Sequence, residues 1–449
     1  MIANTSPVAY GGLGTPLITL TGVTGLPTET LSVMAGHQLP LLSLFIPLYM
    51  VKCMCSWKQT WEVWPALLVA GGSFALFQFT FATIHVHAPN LVLYPMTDIG
   101  GGIFSLIVTA IFLKWWKPRR EWHFEKKAAT PTEGTTHLSS DDPHAAEARA
   151  LLNHESPPPT HHEPPLTAWS ITVAWFPFIL MSILLLLTGL VRQREGQRNN
   201  LGPVMLGPVE TNYIVPIPWL DKESVRDARL SEGEGIEAKP ESATFNFAWL
   251  TNPGSAVFAA AILSMCLLRM SWRQILWCFQ RTFYQMKIPI PTICCMLGLS
   301  YVTRYAGMDA TLGFAFAGTG VLYPFFAPLL GWLGVFLTGT DAGSNALFGS
   351  LQKITATQIH AAGAFGGSLD LGQAQVLICT ANSTGGVMGK MIDAQSIVVA
   401  TAATNQLGRE ADIFKAVLWH SVFLAGVVGI LTLLQAYVAP FTGLVPSLP

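Results

Sequence analysis

Two short polar segments, far apart in the chain, carry side chains suited to holding a small anion. Asn4-Thr5-Ser6 and Asn382-Ser383-Thr384 each follow an alanine and precede a glycine-rich stretch. Amides and hydroxyls supply directional hydrogen bonds, and glycines let the backbone open and present its N–H groups. A repeated polar break between apolar stretches is typical of paired discontinuous helices in membrane carriers. We therefore predict that both segments contact a substrate.

A third polar segment, residues 338–349, directly follows a strongly apolar stretch and contains Asp341, Ser344 and Asn345. An aspartate at membrane depth costs about 2.5–3.5 kcal/mol on insertion scales, so it is expected to face protein or a water-filled cavity. Freed N–H groups and helix N-termini in such a break could receive a carboxylate. We predict Ser344 and Asn345 as further substrate contacts.

Three charged residues are candidates for coupling to protons: Asp341, Asp393 and Lys390. Either carboxyl could carry a proton if desolvation favours its neutral form. Asp393 could equally cap the helix that follows it. Lys390 could pair with an acid, meet the substrate's carboxylate, or extend to the membrane interface.

Other interpretations of these patterns stay open. The Ser/Gly/Asn-rich breaks could reflect close helix packing or a turn outside the membrane, although their mutual similarity favours a binding role. His85 and His87 have no third ligand nearby in the sequence, which favours an interfacial structural role over a metal site. Arg304 ends an apolar stretch, where an interfacial position is favoured over a substrate-facing one.

The sequence contains no phosphate-binding loop, no dinucleotide fingerprint and no nucleophile elbow. We therefore predict no cofactor, no metal, no enzymatic activity and no ATP-driven transport within this polypeptide. The seven cysteines mostly lie in or beside apolar runs and are interpreted as small buried hydrophobes.

Composition places the chain in a membrane. Of its 449 residues 51% are hydrophobic and only 11% are charged, and its mean hydropathy is +0.44. So few charges could not cover the surface of a soluble domain, in which about 25% are usual, so the lipid bilayer is a predicted partner. The net charge of −1 gives no reason to expect nucleic acid.

Charge and hydropathy along the chain predict an all-α polytopic membrane protein with secondary-transporter architecture. Two related repeats are expected, each containing broken or re-entrant helices, the first of them truncated. The predicted regions are an N-terminal membrane region (1–116), a His- and Pro-rich hydrophilic loop (117–166), one span (167–192), a hydrophilic or interfacial loop (193–246) and a C-terminal membrane region (247–449). About nine to ten membrane elements are predicted, several of them too short for the ~20 residues of a full crossing. They are 39–54, 64–84, 99–112, 168–191, 248–268, 289–302, 312–337, 374–381, 392–404 and 414–438, with an amphipathic surface stretch at 269–287.

Several segments together resemble the lactate permease family. They are residues 338–348, residues 381–391, the Gln395-Ser396-Ile397 triplet, residues 331–337, residues 4–11, residues 64–66 and 69–74, and residues 435–438. The resemblance covers nearly the whole chain apart from its two long loops. It implies a secondary carrier that takes up lactate, or a related 2-hydroxy monocarboxylate such as glycolate, with protons across the bacterial inner membrane as a multi-pass protein. A homo-oligomer is possible.

Family members are longer at the N-terminus. The internal repeat indicates the same: residues 338–349 precede Asn382 in the second repeat, and the equivalent segment preceding Asn4 would lie before Met1. The chain is therefore expected to start inside its first repeat. Two alternatives follow: a truncated fragment without transport activity, or a carrier of the same fold that couples sodium to another small anion.

Overall fold

The structure is a computed structural model that describes most of the chain. The described residues are 8–88, 91–118, 167–196, 204–225, 240, 243–287, 318–404 and 409–448, with isolated positions between 290 and 315. Asn4, Thr5, Ser6 and Arg304 lie outside them, as does residue range 119–166, which holds most of the predicted His- and Pro-rich loop.

The described residues are mainly α-helical. The helices are α1 (Gly11–Thr24), α2 (Thr28–Met54), α3 (Trp57–Glu62), α4 (Trp64–Thr83), α5 (Thr97–Trp115), α6 (Ala168–Gly196), α7 (Pro253–Leu267), α8 (Trp272–Met286), α9 (Tyr323–Thr338), α10 (Asp341–Ala361), α11 (Leu371–Gly389), α12 (Ala394–Ala403) and α13 (Glu410–Tyr437).

Six of the described helical segments are long and apolar enough to cross a membrane. They are Thr28–Met54, Trp64–Val86, Tyr94–Trp115, Thr172–Gly189, Gly320–Thr338 and Glu410–Tyr437. The predicted class, an all-α polytopic membrane protein, is confirmed. Helix α8 falls in the stretch predicted to be amphipathic, and its Trp272, Trp277 and Phe283 side chains are exposed.

The predicted start of the first span, residue 39, is eleven residues too late, because α2 begins at Thr28. Ser32 and Gln38 lower the apolar character of this part of the sequence, but both side chains are buried inside the protein. Hydropathy analysis assumes that a membrane segment is surrounded by lipid, whereas these two side chains are surrounded by protein.

Short strands follow α6 in the segment predicted as a hydrophilic loop. β1 (Met205–Leu206) pairs with β2 (Val209–Glu210), and β3 (Tyr213–Pro216) pairs with β4 (Thr244–Phe247), both antiparallel. Glu195 near the end of α6 is 2% exposed and accepts hydrogen bonds from Thr211 and, at 2.9 Å, from Thr251 Oγ1. This carboxylate joins α6 to the strand-containing segment.

Helix α11 lies at the centre of the packing, against α2, α9, α10 and α13. Every residue from Ala374 to Gly389 is buried. Glycines bring α11 into backbone contact with α9, because a Cβ at Gly385 would overlap the Pro328 carbonyl and a Cβ at Gly331 would overlap the Asn382 carbonyl. Only glycine permits this approach of the two helices.

The first prediction concerns this contact. Gly385→Ala should destabilise the protein by about 1–3 kcal/mol, the usual cost of overpacking, because the added methyl meets rigid backbone. Thermal unfolding of the purified protein in detergent, followed by tryptophan fluorescence, measures the change. Gly426→Ala in α13 is the matched control, since a Cβ there meets nothing within 4 Å. Equal melting temperatures for the two variants would contradict the packing account.

Candidate functional site

The predicted break in residues 338–349 occurs at Gly339 and Thr340, between α9 and α10. Gly339 has φ 74°, a left-handed conformation that favours glycine, and ends α9. The Thr340 side chain then caps α10 by accepting a hydrogen bond from the Gly343 N–H at 2.9 Å. The break is shorter than predicted, because Asp341, Ser344 and Asn345 already belong to the first turns of α10.

The interruption predicted within residues 381–389 is not observed. Helix α11 runs without a break from Leu371 to Gly389, and the chain turns only at residues 390–392. The reason is the glycine packing against α9: Gly385 and Gly389 lie where the backbone of Pro328 and Trp332 leaves no room for a Cβ. The alternative interpretation, close helix packing, therefore describes this segment.

Asn382, Ser383 and Thr384 are all fully buried, yet they point to different neighbours. Successive residues of an α-helix are rotated by about 100°, so three in a row cannot share one face. Asn382 faces α10, Ser383 contacts Asp341, and Thr384 contacts Gln38 of α2. The predicted triplet is therefore buried as expected, but its side chains are not gathered around one point.

The Asn382 amide is at the centre of a buried network. Its Nδ2 donates to Asn345 Oδ1 at 2.9 Å and approaches Ser344 Oγ at 3.4 Å. Its Oδ1 accepts from Gln352 Nε2 at 3.1 Å. Tyr323 OH donates to Gln352 Oε1 at 2.7 Å. The network thus brings together three predicted site residues, Ser344, Asn345 and Asn382. Gln352 and Tyr323 also belong to it, although the sequence analysis did not predict them as site residues.

Asp341 is the buried carboxyl of the site, 2% exposed at the start of α10. Its Oδ2 accepts a hydrogen bond from Ser383 Oγ at 2.6 Å. Its Oδ1 has no hydrogen-bond partner among the described residues and points to the position where Gly386 lacks a side chain. A fully ionised carboxylate with one donor is poorly compensated in such a place.

Lys390 and Asp393 pair with each other rather than with the network. Lys390 Nζ lies 2.6 Å from Asp393 Oδ2 and donates to the Gly339 carbonyl at 2.9 Å. The Asp393 carboxylate also accepts from the backbone N–H of Ser396 at 3.3 Å, at the start of α12. Of the alternatives left open by the sequence, the geometry matches an ion pair for Lys390 and a helix cap for Asp393.

The α1 helix lies along α10 and is held by two side chains of α10. Asn345 Nδ2 donates to the Pro16 carbonyl at 3.0 Å, and Lys353 Nζ donates to the Thr24 carbonyl at 2.6 Å. Lys353 is only 7% exposed. Sequence reasoning missed Lys353 and Gln38, although a buried cation or amide inside apolar helices is a recognised signal of function.

Other sequence candidates are peripheral. His85 Nε2 contacts the Glu29 carbonyl at 3.1 Å, which fits a structural role. Within the described part of the chain, no group of three His, Cys, Asp or Glu side chains is arranged to hold a metal ion. Cys379 is buried as predicted, whereas Cys53, Cys266, Cys294 and Cys295 are exposed on the protein surface, where lipid would surround an apolar helix.

Apolar helices around a buried interior of amides, hydroxyls and carboxyls define a polytopic membrane carrier. Comparison with known proteins agrees: the family model described as L-lactate permease matches residues 1–439. The chain therefore belongs to the L-lactate permease family. No solved structure matches it significantly.

Two named relatives illustrate the similarity. The glycolate permease GlcA of Escherichia coli K12 is 38% identical over 451 residues, covering 100% of this chain and 71% of the relative. The L-lactate permease of Bacillus subtilis 168 is 35% identical over 453 residues, covering 99% of this chain and 72% of the relative.

The second prediction tests the Lys390–Asp393 pair. Lys390→Met should lower stability by up to about 3 kcal/mol, because Asp393 is fully buried and would lose its cation. The double variant Lys390→Met/Asp393→Asn should recover most of this loss, since no uncompensated charge remains. Thermal unfolding in detergent of the wild type, Lys390→Met, Asp393→Asn and the double variant gives the double-mutant cycle.

Removing the exposed Arg409–Asp412 pair, whose side chains are 62% and 60% exposed, is the control and should change stability little. A double variant as unstable as the sum of its single variants would show that the two residues act independently.

Proposed function

We propose that this chain carries lactate, or a related 2-hydroxy monocarboxylate such as glycolate, together with protons across the bacterial inner membrane. Membership of the L-lactate permease family supports the substrate class, because one relative is named a glycolate permease and others are named L-lactate permeases. The sequence-based substrate contacts are Asn4, Thr5, Ser6, Ser344, Asn345, Asn382, Ser383 and Thr384. Of these, Ser344, Asn345 and Asn382 lie together in one network, and we propose that this network contacts the substrate directly.

The observation that carries the proton part of the proposal is the environment of Asp341. One of its oxygens accepts a single hydrogen bond from Ser383, and the other has no partner among described side chains or backbone. A proton on the second oxygen would remove the charge that burial penalises. Lys390 is already paired with Asp393, so Asp341 becomes the leading carrier among the three candidates.

A carboxyl that loses its proton on one side of the membrane and regains it on the other couples transport to the proton gradient. Its position at the α9–α10 break, next to the fully buried Asn382 network, would let protonation change how α10 and α11 pack. Intramembrane carboxyls commonly mark proton relays in transporters.

The third prediction concerns Asn382. Asn382→Ala should abolish uptake and leave membrane insertion intact, because it removes the amide that joins Asn345 to Gln352. Uptake of radiolabelled lactate and glycolate, normalised to the amount of protein in the membrane, is the measurement. Ser73→Ala removes a buried hydroxyl between α4 and α5 and should transport normally. Wild-type uptake by Asn382→Ala would exclude Asn382 from the site.

The fourth prediction concerns Asp341. In proteoliposomes, Asp341→Asn should lose accumulation driven by an imposed pH gradient, because an amide cannot bind and release the proton. Exchange of internal for external substrate, which needs no net proton movement, should persist at a measurable rate.

Asp370→Asn is the matched control: Asp370 caps α11 at its exposed end, and asparagine caps equally well. Accumulation driven by pH in Asp341→Asn would remove Asp341 from coupling. Accumulation by the wild-type chain driven by a sodium gradient at fixed pH would favour the sodium-coupled alternative. No uptake of either hydroxy acid by the wild-type chain would refute the proposed function.

A further inference from the structure

Helix α8 presents a row of large apolar side chains to the outside of the protein. Trp272, Leu276, Phe279 and Phe283 are spaced by four, three and four residues, which places them on one face of the helix. These side chains are 71%, 44%, 42% and 78% exposed. A contiguous apolar face that the protein leaves uncovered indicates an interaction surface.

The preceding helix holds α8 at the edge of the membrane. Helix α7 is apolar and packs against α6, which contains the span Thr172–Gly189. The Met270 N–H donates to the Met265 carbonyl at 3.0 Å and closes the last turn of α7. Ser271 Oγ then caps α8 by accepting a hydrogen bond from the Gln274 N–H at 3.4 Å. Helix α8 therefore begins directly where a membrane-embedded helix ends.

An aromatic contact fixes the direction of the apolar face. The rings of Phe258 in α7 and Phe279 in α8 meet edge to face, with centroids 6.3 Å apart. Phe258 is itself 58% exposed on an apolar helix, so lipid surrounds that side of α7. The apolar face of α8 is therefore turned toward the acyl chains, and its opposite face toward the headgroups and water.

The charges around α8 are all positive. Residues 269–287 contain Arg269, Arg273, Arg281 and Lys287 and no aspartate or glutamate. Arg269, Arg273 and Lys287 are exposed. Arg269 has φ 50°, a left-handed conformation that favours glycine at the end of a helix. A cation thus occupies the corner between α7 and α8 against the local backbone preference.

We propose that α8 binds the headgroups of anionic phospholipids, with its aromatic face among their acyl chains. Arg273 and Lys287 are fourteen residues apart, which brings them within roughly 40° of each other around the helix. Both therefore reach the headgroup layer on the same side, where each cation is attracted to an anionic membrane surface. A zwitterionic lipid offers the same acyl chains without net charge, so the cations distinguish the two lipids.

The same charges disfavour a second copy of this chain as the occupant. Two α8 helices that met through their apolar faces would bring the cations of both copies close together, with no acid between residues 269 and 287 to balance them. Like charges placed together across an interface cost several kcal/mol. An anionic lipid satisfies both the apolar face and the positive charge.

The experiment uses the full chain reconstituted in phosphatidylcholine vesicles with a trace of photoreactive lipid. Two probes are compared, phosphatidylglycerol and phosphatidylcholine, each with the same photoreactive group at the head of one acyl chain. Peptide mass spectrometry gives the ratio of their adducts on residues 272–287. We expect the wild type to favour phosphatidylglycerol, and Arg273→Gln/Lys287→Gln to lower this ratio about tenfold or more.

Arg409→Gln/Lys415→Gln is the matched control. It also removes two cations, but Arg409 lies 3.1 Å from Asp412 at the start of α13, where the surface carries both signs of charge. The adduct ratio on α8 should equal that of the wild type. An equal fall in both double variants would assign the preference to the charge of the whole protein and overturn the proposal. A wild-type ratio near one, or few adducts from either probe, would overturn it too.

Two further measurements decide the question if Arg273→Gln/Lys287→Gln does not yield monodisperse protein. Arg273→Lys/Lys287→Arg keeps both charges and should keep the wild-type ratio. Raising the salt concentration from about 0.1 M to about 1 M shortens the Debye length from about 10 Å to about 3 Å and should lower the ratio of the wild type. A ratio that does not change with salt would refute an electrostatic lipid site on α8.

Discussion

Helix α11 is buried at every residue from Ala374 to Gly389, and this burial governs the rest of the structure. Three adjacent polar side chains leave the helix in different directions and bind partners in neighbouring helices, because the membrane interior offers none. Asn382 is satisfied by α10, Thr384 by α2, and Ser383 by the carboxyl at the α9–α10 break. The positions of α2, α9 and α10 are therefore tied to three adjacent residues.

The membrane class and several helices were predictable from the sequence because their apolar side chains face outward. Helices α4 and α5 begin and end within a few residues of the predicted spans, and many of their large apolar side chains are exposed. The beginning of α2 was predicted wrongly because Gln38 and Ser32 are polar but buried. Hydropathy measures transfer to lipid, and these residues are surrounded by protein.

The candidate site was predictable only in part. The break at Gly339 was predictable because a left-handed glycine followed by a threonine cap is a local signal. Glycines that unwind a helix and glycines that allow close packing look the same in a sequence, so residues 381–389 were assigned wrongly. What distinguishes them is the Pro328 backbone beside Gly385, which belongs to another helix. Gln38, Gln352 and Lys353 have no local pattern that joins them to Asn382 or α1.

The attachment of α1 to α10 has a mechanical consequence. Pro16 and Thr24 are separated by the same number of residues as Asn345 and Lys353, and the two contacts follow the same direction along both helices. Helices α1 and α10 are therefore parallel and in register, and two hydrogen bonds eight residues apart join them. Sliding one helix along the other would break the hydrogen bond of the Asn345 amide and that of the Lys353 ammonium group simultaneously. We therefore expect the two helices to move together.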